Sequence, residues 1–199
     1  MDYTTLTLVK QEINIEETGD DDRLTQLITA ASRAIDRHCT QAPAGQGDNY
    51  FELEDITNEV GYGQIDKNGA ILCYPRKPYI SSVASFEYRS YGAVSWSSLD
   101  TGSVITQVGR VLAFSELTTR EELQTRISYT GGLSDAPSTL PADLIEAATV
   151  LTIRFYREAE SGLIDAIGVP EIGQMVYTKA IPSRVKEMLK PYQRISPWA

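Results

Sequence analysis

The spacing of apolar residues along this chain changes period twice. Leu24, Leu27, Ile28, Ala31 and Ile35 recur at intervals of three and four, the signature of an amphipathic helix. Asp20, Asp21 and Asp22 supply a cap and first-turn carboxylates suited to the positive end of its dipole. The helix is expected to end between His38 and Gln41, ahead of Ala42-Pro43 and the Gly45/Gly47 loop. Upstream, Thr7 is placed to cap a short helix running through Ile13, before a polar break from Asn14 to Gly19.

From Asn49 the pattern becomes strand-like. Tyr50–Ile56, Gly63–Ile65, Ala70–Tyr74, Val83–Tyr88, Val94–Leu99, Val104–Val108, Arg110–Phe114 and Gln124–Tyr129 are short β-branched or aromatic runs separated by turn residues. Asn68-Gly69, Tyr91-Gly92, Asp100-Thr101-Gly102 and Gly109 mark the turns; Asn-Gly is the sharpest, because both positions tolerate positive φ. Gly61-Tyr62-Gly63 reads as a strand bend. Pro75 and Pro78 flank Arg76-Lys77 and mark a sheet edge or a crossing between sheets.

Helical spacing returns at Pro141, a favourable first helical residue because its missing N–H has no partner to lose. Leu144, Ala148, Leu151 and Phe155 form one stripe that Ile145, Thr152 and Tyr156 widen, and so broad a face needs more than one neighbour. Ser161-Gly162 breaks this helix, and a mixed segment runs through Val169-Pro170 to Gly173. Pro182-Ser183 opens a last short helix with Val185, Met188 and Leu189 inward; Pro191 stops it, leaving a tail to Ala199. The pattern predicts an α+β fold. Residues 1–42 and 133–199 form a small helical bundle, the platform, with an extended C-terminal tail; residues 48–130 form an inserted antiparallel β-domain, a sandwich or small barrel.

Length and composition agree with that layout. A chain of 199 residues holds one domain, or one domain with an insert, and buries about 70% of its unfolded surface. The N-terminal Met-Asp-Tyr has no basic region, and the apolar run Leu144–Ile153 is interrupted by Glu146 and too short to cross a bilayer. A protein made in the cytoplasm, without membrane contact, is the expectation. Cys39 and Cys73 lack disulfide or zinc spacing and read as buried small hydrophobes. The net charge of −9 argues against gripping nucleic acid by phosphate neutralisation. In Gln174–Ala199, Lys179, Arg184, Lys186, Lys190 and Arg194 face one acid, Glu187; this segment is +4, leaving −13 on residues 1–173.

Catalytic signals are weak. His38-Cys39 pairs an imidazole with a thiol, but adjacent helical residues point about 100° apart. Asp20-Asp21-Asp22 lacks the alternating ligands of a calcium loop, Gly61-Tyr62-Gly63 lacks phosphate-loop spacing, and Glu121-Glu122 faces no second carboxylate. With a single histidine and no ordered nucleophile or metal-ligand set, no enzyme, metal or cofactor is expected, and a hydrolase is the remote alternative. Among the aromatics Tyr74, Tyr79, Phe86, Tyr88, Tyr91 and Trp96, alternation puts part in a core, while Tyr91 and Trp96 lie near turns as candidate contacts.

Five passages follow one another along the chain: the capped helix Asp20–Cys39, Tyr74-Pro75-Arg76-Lys77-Pro78 followed by Ile80-Ser81-Ser82-Val83, and Ile127-Ser128-Tyr129-Thr130-Gly131-Gly132, then Leu140-Pro141-Ala142-Asp143 with Phe155-Tyr156-Arg157-Glu158, and Leu189-Lys190-Pro191-Tyr192-Gln193-Arg194. In this order they resemble the head-tail connector (adaptor) proteins of tailed bacteriophages. The resemblance spans nearly the whole chain and implies a structural virion protein of the neck, of the type with a β-domain inserted between core helices. Such a subunit forms a ring of about twelve copies beneath the portal, extends the channel for transient, non-specific passage of double-stranded DNA, and docks the next neck or tail protein. The acidic surplus would suit a channel wall to which DNA does not stick.

By the same resemblance, the C-terminal tail reaches the portal. Tyr192 and Trp198 are amphipathic anchors, Arg194 a charge-assisted donor, and Pro191 and Pro197 keep the tail from continuing the helix. The alternative is a tail folded back on its own subunit. Leu144, Ala148, Leu151, Phe155 and Tyr156 form a face that is either core or subunit contact. A stopper or terminator, binding the adaptor rather than the portal, is the alternative function.

Overall fold

The computed structural model describes residues 1–40, 49–115, 123–161, 166–169, 174–177 and 181–194. They divide into a helical unit, Met1–Asn49 with Ala136–Gln193, and a β unit, Tyr50–Asp135 with Arg194. Helices α1 (Leu6–Ile13), α2 (Asp21–Thr40), α3 (Ala142–Ser161) and α4 (Ser183–Leu189) belong to the first. The fold is α+β.

In the helical unit, α1 begins before the cap read from the sequence. Thr5, not Thr7, is the N-cap: its backbone is extended and its hydroxyl accepts from the Leu8 amide at 3.3 Å. Thr7 lies inside the first turn. Asn14 closes α1 in the left-handed region at φ 57°, which its short polar side chain tolerates. Val9, Leu24, Ile28 and Tyr156 make a core, flanked by half-buried Leu6, Ile13, Ile15, Leu27 and Ile153.

A buried polar seam ties the first residues to α2 and α3. Thr4 and Thr149 share a hydroxyl hydrogen bond of 2.7 Å, and the Tyr3 amide donates to Ser32 Oγ at 3.0 Å. Buried Asp36 accepts from the Tyr3 hydroxyl and the Asn49 amide and pairs with Arg33 at 2.9 Å, so its charge is compensated. After α3, where the sequence pattern showed only a mixed segment, strands β8 (Ala166–Val169) and β9 (Gln174–Tyr177) pair antiparallel.

The β unit contains β1 (Glu54–Ile65), β2 (Ala70–Cys73), β3 (Ile80–Ser90), β4 (Ser97–Leu99), β5 (Val104–Gln107), β6 (Arg110–Phe114) and β7 (Leu123–Gly131). They form one antiparallel sheet in the order β4-β3-β7-β1-β2-β6-β5, curled as a half-barrel. Curling brings the β5–β6 turn toward the start of β3, where the Gly109 amide donates to the Pro78 carbonyl at 2.8 Å. Strict alternation along β7 places Leu123, Thr125, Ile127 and Tyr129 inside. Leu123, Ile127 and Tyr129 pack with Ile71, Cys73, Phe86, Val111 and Ala113.

The strands depart from the sequence reading most in β1, which starts at Glu54 and joins two expected runs, and in β4. Gly61-Tyr62-Gly63 is no bend: β1 runs unbroken across it, and a Cβ on Gly63 would come within 2.6 Å of Thr125, so the glycine admits a close neighbour. The irregularity of β1 lies instead between Ile56 and Glu59, with Asn58 at φ 54°. The strand expected from Val94 starts at Ser97, and Val94 is 93% exposed.

Candidate functional site

The broad face of α3 is largely used up within its own unit. Leu144, Ala148, Leu151 and Tyr156 are buried there, with Ala147 beside them, while Phe155 is half-buried. The Tyr156 hydroxyl donates to Asp20 at 2.9 Å, and this bond to a carboxylate, with burial, pushes the phenol up to about 12.

The root of the C-terminal tail is held by its own chain. Pro191 does not end the winding; Lys190–Tyr192 forms a 3-10 turn after α4, whose Val185 and Leu189 are buried. The Tyr192 hydroxyl donates to Asp143 in the first turn of α3 at 2.6 Å, and Gln193 meets His38 at 2.9 Å. In the β unit, Arg194 donates to the Tyr74 carbonyl at 3.1 Å. Tyr192 and Arg194 are thus hydrogen-bonded within their own chain, Arg194 through one guanidinium nitrogen. Pro197 and Trp198 lie outside the described residues, as do Glu121-Glu122 and the Gly45/Gly47 loop.

His38-Cys39 does not form a reactive pair. Cys39 is buried, and desolvation with the nearby Asp36 charge pushes its thiol up to about 12, which keeps it protonated. Burial and Lys186 lower the His38 imidazole below its ordinary value. Among the described residues, no group of three or more His, Cys, Asp or Glu side chains could hold a metal ion, and no helix is long and apolar enough to cross a membrane.

Two of the passages that carry the resemblance, Tyr74–Val83 and Ile127–Gly132, build structure in the β unit. Lys77 is buried, with Nζ donating to the Glu52 carbonyl at 2.7 Å and pairing with Glu54 at 3.0 Å; desolvation lowers its pKa. Its amide donates to the Tyr129 hydroxyl, which donates to Glu59 at 2.6 Å. Gly131 leaves room for this cluster, since a Cβ there would lie 2.7 Å from the Tyr129 ring and 2.8 Å from Lys77.

A surface on the other face of the sheet was only glimpsed in the sequence, through Trp96. Register aligns Arg89, Gln124 and Tyr62 in one row across β3, β7 and β1, and Glu87, Arg126 and Val60 in the next. Trp96, half-buried in the β3–β4 connection, receives both guanidinium groups on its ring, Arg89 at 4.3 Å and Arg126 at 4.7 Å. Glu87 pairs with Arg126, which holds the Glu87 carboxyl below its usual range. Arg89 Nε donates to Gln124 at 2.8 Å. Tyr62 and Val60 stand 74% and 56% exposed beside them, and Tyr91 is also exposed. Spacing along one strand shows which residues share a face; the pairing across three strands needs the register.

The model of one family, head completion protein, matches residues 2–195. The chain belongs to this family. No curated protein matches the chain in sequence. Two solved structures share its fold at low identity. A chain in the virion of a native gene transfer agent particle is 14% identical with a TM-score of 0.52. One in the neck of an empty gene transfer agent particle, computed with C6 symmetry, is 13% identical with a TM-score of 0.51. Each alignment covers 98% of this chain and 91% of the other.

Proposed function

We propose that this head completion protein is the head-tail adaptor of its particle: a structural protein of the neck, assembled as a ring of about twelve copies beneath the portal. The ring extends the DNA channel and offers its far side to the next neck or tail protein. The observation that carries this reading is the match of one neck-protein family across residues 2–195, so that both units fall within it. The fold shared with gene transfer agent neck and virion chains supports it.

The C-terminal tail remains the proposed portal contact, with a changed division of labour. Tyr192 and Arg194, whose polar groups are bound within the chain, set the root of the segment, and Pro197 and Trp198 supply the contact. Residues Leu144, Ala148, Leu151 and Tyr156 serve as core, which leaves Phe155 as the member of that face with surface to share.

Mass measurement with negative-stain imaging of the protein, alone and with portal, tests the reading. The expected result is a ring on the portal, lost when the chain is cut after Arg194 while its melting temperature holds. A chain that ignores portal but binds a preformed adaptor ring would instead be a stopper, and the proposal would fall.

A further inference from the structure

The patch around Trp96 has the composition of a binding hot spot, where tryptophan, tyrosine and arginine dominate. Strands lie about 4.8 Å apart and same-face residues about 7 Å apart along them, so its two rows cover roughly 10 by 7 Å. Glu87 neutralises Arg126, but among the described residues Arg89 has no carboxylate partner. Stacking on Trp96 and the Nε bond to Gln124 hold the Arg89 guanidinium in place. Its two terminal nitrogens form a pre-set fork, the geometry that takes a carboxylate in two parallel hydrogen bonds.

The helical unit carries a complementary surface. Beside the loop after α1, an open cleft of about 460 Å³ is lined by Leu6, Ile15 and Glu16, among others, and a second of about 480 Å³ includes Glu16 and Glu17. Leu6 and Ile15 are half-buried, an apolar floor, while Glu16 and Glu17 are exposed. Lys10 is occupied: its Nζ donates to the Glu17 carbonyl at 2.7 Å and to Asp21 at 2.6 Å. Among the described residues, neither Glu16 nor Glu17 has an ion-pair partner.

We infer that the Tyr62, Arg89 and Trp96 surface of one copy docks on the acid-rimmed Glu16/Glu17 cleft of the next copy. Tyr62 enters the apolar floor, and the Arg89 fork takes a glutamate carboxylate. The two patches differ and lie on one molecule, so the contact is head-to-tail; contacts of this type close into rings when the rotation permits. The inference rests on the ring reading above and assigns the residues of its subunit interface.

Charge reversal tests it, with assembly on the portal read by native mass spectrometry and negative stain. Arg89→Glu, and separately Glu16→Lys with Glu17→Lys, should each cut the assembled fraction at least tenfold while circular dichroism and melting stay at wild type. Tyr62→Ala, at an exposed position, should weaken assembly without any charge change. Mixing the two reversed variants should restore it: in an alternating ring, reversed patches face reversed patches and native face native. Wild-type assembly by Arg89→Glu, or a mixture of folded variants that stays unassembled, overturns the interface but leaves the ring reading standing. So does an Arg89→Glu ring that forms normally and loses only the next neck protein. A wild-type chain that forms no ring even with portal removes both.

Discussion

Gly132 has almost no room for a single added methyl group. Its φ is +124°, and a Cβ would fall 2.2 Å from the Glu52 carbonyl oxygen, a backbone atom that cannot rotate away. Strain and clash add, so Gly132→Ala should cost more than about 3 kcal/mol. Gly92 has φ +86° but open space around it, and Gly92→Ala should cost about 1–2 kcal/mol. Thermal melting separates them: a fall of at least about 6 °C for the first and a clearly smaller one for the second. Equal falls would show that backbone conformation alone matters at both. The Gly131-Gly132 step is visible in the sequence, but its cause is not, because the Tyr129 ring, Lys77 and the Glu52 backbone meet it through sheet pairing and chain crossing. Lys77 shows the same limit. Two flanking prolines place it correctly off a central strand, yet its burial depends on carbonyl and carboxylate partners far back in the chain.

Among elements, α2 and α3 were legible because long amphipathic helices repeat their signal many times. Leu24, Ile28, Ala31 and Ile35 are buried as their spacing implies. Short elements repeat it too few times. In Thr4-Thr5-Leu6-Thr7 either Thr5 or Thr7 is chemically fit to cap α1, and tertiary contacts choose: Thr4 is fixed to Thr149 of α3, and the turn that buries Val9 starts at Leu6. Thr5→Ala should therefore cost about 1 kcal/mol in urea denaturation, while Thr7→Ala should stay within about 0.5 kcal/mol of wild type. The reverse order would return the cap to Thr7. The β8–β9 pair escaped for a related reason: four-residue strands carry little periodicity, and only their pairing defines them.

At the scale of the whole molecule, buried acids of high pKa make stability sensitive to alkali. Burial pushes the Cys39 and Cys73 thiols from 9.0 up to about 12, and it raises the Tyr129 phenol together with its bond to Glu59. Tyr156, bound to Asp20, rises from 10.0 to about 12. Well below pH 9 these groups are protonated in both folded and unfolded chains. Above it the unfolded chain releases protons that the native one keeps, so stability falls as pH rises toward 12. Lys77 acts in the opposite sense, since its lowered pKa leaves the unfolded chain with more protons below 10.5, but it is outnumbered. The urea midpoint should thus be level from about pH 7 to 8.5 and drop by pH 11, with the onset delayed in a Cys39→Ala/Cys73→Ala variant. A midpoint rising through that range would reverse the assignment. The sequence by itself determined the order of helical and β segments, the inward faces of the long helices, the acidic body with its basic end, and the neck-protein resemblance. Periodicity and composition are enough for the first three, since they depend on neighbours in the chain, while the resemblance rests on the order of short passages along it. Only the tertiary structure decided that Tyr192 and Arg194 bind their own chain, that Lys77 is buried, and that Arg89, Trp96 and Tyr62 share one surface. Those outcomes depend on strand register, sheet curl and helix packing, which join residues that no local pattern relates.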